Sequence, residues 1–97
     1  MTSFEVLDYL RSHKEELRKE FGVVKIGLFG SYSRNEQNEN SDIDIAIEIA
    51  KEKKSLGNFF AIKRTLEEQF GKKVDLGIES SLKPIVKEFV QKEIIYV

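Results

Sequence analysis

Ninety-seven residues, 40% hydrophobic and 34% charged, with no cysteine and one histidine, describe a folded domain that has no disulfides and no thiolate or polyhistidine metal site to draw on. Sixteen basic residues against seventeen acidic ones give a net charge of −1, which lacks the basic footprint of a dedicated nucleic-acid binder. No apolar run approaches the ~20 residues of a membrane span, and the polar start is not a signal peptide. The expectation is one cytoplasmic domain over residues 1–97, with no membrane contact and no direct nucleic-acid partner.

A chain of this size hides roughly 60–68% of its unfolded surface. That suffices to fold, but not to enclose a large ligand. A deep site would need a second chain, either a partner or another copy in an oligomer.

In chain order, Thr2 and Glu5 form a capping-box pattern, and Leu7, Leu10, Leu17 and Phe21 recur near helical spacing until Gly22, which predicts a helix over 3–21. His13 falls on its solvent side and receives no role. Val24, Ile26 and Leu28 alternate in a strand over 23–29, with Gly27 on the opposite face. Gly30 and Ser31 break that strand. A short helical turn over 32–36, with Ser31 near its N-cap, leads into a polar loop over 37–41.

A second strand begins at Asp42, with Ile43, Ile45, Ile47 and Ile49 on one face and Asp42, Asp44, Ala46 and Glu48 on the other. After a loop over 51–55, Leu56, Phe59, Ile62, Leu66 and Phe70 make a helical stripe that stops at Gly71, with Phe60 at its margin. A third strand over 73–78 puts Val74, Leu76 and Ile78 on one face and Lys73, Asp75 and Gly77 on the other. Ser80 or Ser81 would cap a last helix that takes Pro84 in its first turn and buries Leu82, Ile85, Val86, Phe89 and Val90. Residues 94–97 make a short edge strand. The fold class is α/β (α+β) in two layers, with a mixed sheet of three to four strands and helices on the isoleucine face only.

The strand period of two sends Asp42, Asp44 and Asp75 out of the face opposite the isoleucines, and Asp75 stands beside the other two if the second and third strands pair. Clustered carboxylates raise one another's pKa unless cations neutralise them, so the trio points to a metal site. The plain alternative is the wet face of an amphipathic sheet. Against it, aspartate is a poor strand former, and the small residues Gly27, Ala46 and Gly77 suggest a surface kept clear for a ligand. Gly30 and Ser31, at a strand end where a short helix starts, could offer backbone N–H groups and a hydroxyl to phosphate oxygens, and Arg34 could add a charge-assisted contact. The plain reading of Gly30-Ser31 is an ordinary turn with an N-cap. Neither a Walker A loop nor a G-x-G-x-x-G fingerprint is present.

Gly30-Ser31-x-x-Arg34, Ser41-Asp42-Ile43-Asp44 and Val74-Asp75-Leu76 together resemble the polymerase-beta-type nucleotidyltransferase superfamily over nearly the whole chain. More narrowly, the chain resembles the minimal nucleotidyltransferases that act as antitoxins beside HEPN-domain ribonuclease toxins. It departs from the pattern at Asn35, where the family often has glycine, and in its amide-rich loop.

The resemblance implies a nucleotidyltransferase palm in which Asp42 and Asp44 bind two Mg²⁺ ions. Asp75 would be the third ligand and a candidate base, and Gly30, Ser31 and Arg34 would position the phosphates of ATP or another NTP. It also implies AMP transfer to a tyrosine of a HEPN toxin partner. Two other readings stand beside it. One is a binding module that covers a partner's active site, with Phe60, Ile94, Ile95 and Tyr96 as apolar anchors. The other is an antibiotic adenylyltransferase, disfavoured because no second domain holds the acceptor.

Overall fold

Every second residue from Ile43 to Ile49 is an isoleucine, and all four are buried in the strand that forms there. At about 1.5–3 kcal/mol for each fully buried aliphatic side chain, this strand is the natural floor of the core. The computed structural model describes all 97 residues. Helices α1 (Ser3–Ser12) and α2 (Lys14–Phe21) lead to strands β1 (Val23–Phe29) and β2 (Ile43–Ile49). Helix α3 (Leu56–Phe70), strand β3 (Val74–Ile78), helix α4 (Pro84–Glu93) and the two-residue strand β4 (Ile95–Tyr96) follow. Single 3₁₀ turns occupy Gly30–Tyr32, Lys51–Lys53 and Glu79–Ser81. No helix is long and apolar enough to cross a membrane.

The sheet runs β3-β2-β1-β4 and is mixed. β2 pairs antiparallel with β1 and parallel with β3, and β4 closes the far edge antiparallel to β1. Val6 and Leu10 of α1, Leu17 of α2, and Ile62, Leu66 and Phe70 of α3 join the isoleucines, Ile26, Leu28, Val74 and Leu76 in one core. Gly22 and Gly71 end α2 and α3 in the left-handed conformation, as their positions predict.

The single helix expected over 3–21 is two helices. The Thr2–Glu5 capping box is present, but His13 leaves helical geometry at φ −108°, ψ 7°. The apolar stripe, which runs through Val6, Leu10 and Leu17, has no hydrophobic residue to hold the helix at that turn. The imidazole also has a local partner: its Nδ1 lies 2.9 Å from the Tyr9 carbonyl oxygen and its ring stacks on Tyr9 at 4.0 Å. At the start of β1 the register passes from Val23↔Ile49 to Lys25↔Glu48, so two steps on β1 match one on β2. This bulge turns Val23 inward and leaves Val24 56% exposed, the reverse of strict alternation.

The C-terminal region departs most from expectation. Neither Ser80 nor Ser81 caps α4, which begins at Pro84 with Lys83 as N-cap and no side-chain bond. Ser80 instead donates its N–H (2.5 Å) and its hydroxyl (3.0 Å) to the Glu48 carboxylate. Of the residues expected inside, only Val90 is buried, while Ile85 and Phe89 are 65% and 64% exposed and Val86 is exposed too.

The cause is that α1, α2 and α3 already fill the isoleucine face. The segment around α4 crosses the other side: a Cβ on Gly27 would sit 2.6 Å from Ile94 Cγ1, and one on Gly77 would sit 3.7 Å from Leu82 Cδ2. Helices on one face therefore describes α1 to α3, and α4 lies on the acidic side. Glu79 fastens this crossing, accepting from Lys25 Nζ at 3.0 Å and from the Tyr96 hydroxyl at 2.5 Å. A carboxylate this buried needs such partners.

Because Ile94 fills the space beside Gly27, Gly27→Ala should displace the C-terminal crossing and destabilise the protein by about 1–3 kcal/mol in urea unfolding. Unchanged stability would show that Ile94 does not seat there.

Candidate active site

The C-terminal end of β1 and the N-terminal ends of β2 and β3 meet along one rim of the acidic face. Asp44 enters that rim through β2, where it is the register partner of Phe29 on β1 and of Asp75 on β3. Adjacent strands lie about 4.8 Å apart, so the two carboxylates leave the sheet side by side. Asp42 sits one residue before β2 and is exposed. The three share a face, as the period of two requires, but they do not converge into a ready-made three-ligand cluster.

Asp44 is the perturbed member of the group. Burial, more than any other influence, pushes its carboxyl up to about 6, with further contributions from the charge of Asp75, a proton shared with Asp75, and the charges of Asp42 and Glu93. Its far wall is Gly30. That residue has φ +73°, and a Cβ there would lie 2.1 Å from Asp44 Oδ2, so only glycine meets both the conformation and the close approach. The turn after Gly30 is closed by Ser33, whose N–H (3.0 Å) and hydroxyl (2.7 Å) both donate to the Gly30 carbonyl. Glu36 N–H donates to the Ser31 carbonyl at 2.9 Å. Ser31 therefore follows directly on the glycine that seats Asp44. Tyr32, the next residue, is buried and anchors the loop in the core.

Arg34 is placed differently from a free phosphate ligand. Its Nε donates to Glu36 Oε1 at 2.7 Å, and its Nη1 donates to Glu93 Oε2. Glu93, the last residue of α4, is a site residue that sequence reasoning misses. It lies some sixty positions from the loop, and nothing in its local pattern marks it. Of the small residues read as a cleared surface, Ala46 is buried and Gly27 is covered by Ile94 and Tyr96. The open ground is thus confined to the rim that carries Gly30, Asp42, Asp44 and Asp75.

Residues 10–97 match the profile of the Nucleotidyltransferase domain family. The chain belongs to that family. It is 43% identical over 97 residues to protein adenylyltransferase MntA of Thermococcus cleftensis, covering 100% of this chain and 97% of that one. A solved structure provisionally described as a minimal nucleotidyltransferase superposes with a TM-score of 0.81 at 32% identity, covering 98% of this chain and 95% of that one. A toxin–antitoxin structure with AMP-PNP gives a TM-score of 0.71 at 25% identity, over 99% of this chain and 72% of that one. An MNT antitoxin in complex with a tri-AMPylated HEPN toxin of Shewanella oneidensis, 21% identical over 99% of this chain and 71% of that one, shares the fold with a TM-score of 0.67. The expected palm and its mixed sheet are thus observed, and the chain is a nucleotidyltransferase of the protein-adenylyltransferase kind.

In metal-free buffer, a folded-state pKa for Asp44 of about 6, above the unfolded value, means that the folded form binds the extra proton. The Asp44 contribution to stability should be fully present below about pH 4 and be lost as pH rises through 6, while Glu5, Glu15 and Glu79, whose pKa values are lowered, act in the opposite direction. Asp44→Asn should abolish that fall and melt higher than the parent at pH 7, by on the order of 1 kcal/mol after solvent screening. Melting curves of both proteins from pH 4 to 7.5 test this, and a parent-minus-variant difference that stays constant over the interval would contradict it.

Gly30→Ala should lower the melting temperature and displace the Asp44 carboxylate. Gly71→Ala is the control, since it carries the same left-handed strain (φ +64°) with nothing within 4 Å of the new methyl. It should cost about 1–2 kcal/mol and leave any transfer activity intact.

Proposed function

We propose that this nucleotidyltransferase moves AMP from ATP to a tyrosine hydroxyl of a HEPN-type toxin in a Mg²⁺-dependent reaction, and so acts as an antitoxin. The observation that carries the reading is the Asp44–Asp75 register pair pressed against Gly30 at an open rim. It supports Asp42, Asp44 and Asp75 as the metal-binding carboxylates and Gly30 and Ser31 as the phosphate-facing loop. The names of the similar proteins supply the acceptor class: a protein adenylyltransferase, a toxin–antitoxin pair holding AMP-PNP, and an AMPylated HEPN toxin.

The donor set fits Mg²⁺. It consists of carboxylate oxygens without nitrogen or sulfur, and the raised pKa of Asp44, owed first to burial and then to neighbouring carboxylates, marks a charge that a cation would relieve. Mg²⁺ held there would neutralise the triphosphate and polarise the acceptor hydroxyl. The residues do the rest. Asp44 is fixed by its strand neighbours and by Gly30, while the exposed side chain of Asp42 is free to turn toward it. Asp75, beside Asp44, would accept the hydroxyl proton. The acceptor oxygen bonds to the α-phosphorus as the bond from that phosphorus to the α,β-bridging oxygen breaks, and pyrophosphate leaves.

The near-neutral surface favours a protein acceptor over RNA. The rim is open on one side, so the acceptor molecule would supply the missing wall.

One observation favours a second reading, in which the chain neutralises its partner by binding alone: Ile85, Val86 and Phe89 stand exposed on α4 as ready apolar anchors. Incubation of the purified pair with ATP and Mg²⁺, followed by intact mass measurement of the partner, separates the two. AMP addition should be seen with the parent and lost, by at least about a hundredfold in rate, with Asp44→Asn. An unmodified partner that is still inhibited, including by Asp44→Asn, would replace the enzymatic reading with the binding one.

A further inference from the structure

Arg34 is the cation of the loop that follows Gly30, and two carboxylates of the protein engage it. Glu36 takes its Nε, and Glu93 takes its Nη1. The two ends of the second pair differ in freedom. Glu93 closes α4, and the next residue, Ile94, is seated over Gly27, so the carboxylate is carried on a fastened backbone and its side chain is 25% exposed. Arg34 has a long side chain that is 48% exposed and projects from a turn. Glu93 Oε2 also lies 3.4 Å from the Ser33 hydroxyl, within the loop that follows Gly30. Its charge reaches Asp44, to whose raised pKa it contributes. Glu93 thus contacts the loop that follows Gly30 at two points and holds its arginine.

We infer that Glu93 is a positioning residue that parks Arg34 on the end of α4 and yields it to the triphosphate, so that nucleotide entry exchanges the Arg34–Glu93 pair for an Arg34–phosphate pair. The inference rests on the nucleotide reading of this site. A partly exposed carboxylate–guanidinium pair is weak and readily exchanged. A polyphosphate offers several anionic oxygens with the geometry that the guanidinium fork matches bidentately. The mobile partner in the exchange is Arg34, because the backbone on the Glu93 side is held by the C-terminal crossing. Glu93 thereby lowers the apparent affinity for nucleotide by competing for the arginine, in addition to any direct repulsion it exerts.

The test is a double-mutant cycle on ATP binding in the presence of Mg²⁺, by titration calorimetry, with the parent, Glu93→Gln, Arg34→Gln and the double variant. Both substitutions lie at partly exposed side chains, and melting curves confirm the folding of the three variants. The expected result is that Glu93→Gln tightens ATP binding about two- to fivefold in the parent and has no such effect when Arg34 is already glutamine. An equal effect of Glu93→Gln in both backgrounds would mean simple charge repulsion and would overturn the exchange. Weaker binding by Glu93→Gln would overturn it too, by making Glu93 part of the binding surface. If the parent chain binds no ATP, the nucleotide reading fails and this inference fails with it. ATP binding without coupling between the two positions defeats the inference alone.

Discussion

The parallel pairing of β2 with β3 is the constraint on which the rest depends. It sets Asp44 opposite Asp75 and Ile43 opposite Val74 in a single register. A one-residue slip would turn every isoleucine outward and every carboxylate inward, so burying four isoleucines and presenting two aspartates are one event. The hydrophobic term that holds the sheet against α1, α2 and α3 is also what forces two like charges to stand together. The raised pKa of Asp44 reflects that placement, first through burial of the carboxyl and then through the charge of Asp75 beside it.

With the isoleucine face filled, the chain after β3 has only the acidic side to cross. It does so over small residues: Leu82 approaches Gly77, and Ile94 lies on Gly27. The Lys25–Glu79–Tyr96 network ties the residue that follows β3 to β1 and β4, and β4 adds to it through pairing with β1. The outcome is a half-covered face. Its closed half is packed, and its open half is the rim with Gly30, Asp42, Asp44 and Asp75. Because α4 does not sink into a core, its apolar residues Ile85 and Phe89 stay outside, where a partner protein would meet them.

This arrangement joins the loop and the C-terminal helix through charge rather than through packing. Arg34 bridges Glu36 in its own turn and Glu93 at the end of α4, and Glu93 in turn faces Asp44. Five carboxylates, Asp42, Asp44, Asp75, Glu36 and Glu93, therefore share this region with one guanidinium, a surplus of negative charge.

The sequence by itself determined the features that rest on local periodicity and on local backbone chemistry. These are the strands with their two faces, the Thr2–Glu5 capping box, the glycine stops of α2 and α3, and the position of Asp42, Asp44 and Asp75 on one side of the sheet. The Gly30-Ser31 turn was legible for the same reason, since it breaks an alternating strand immediately before a polar segment. Tertiary structure alone decided whatever depended on which surfaces were already occupied. The amphipathic stripe of α4 predicts burial, but no isoleucine face was left to receive it. Gly27 and Ala46 read as cleared ground, yet Ala46 is buried and the C-terminal crossing covers Gly27. The β1 bulge, which exchanges Val23 for Val24, and the break at His13 each arise from fitting an element to its neighbours. Glu93 joined the site only because the crossing brought it there. A pattern with a period of two or 3.6 reports which way a side chain points, and what waits in that direction is settled when the elements pack.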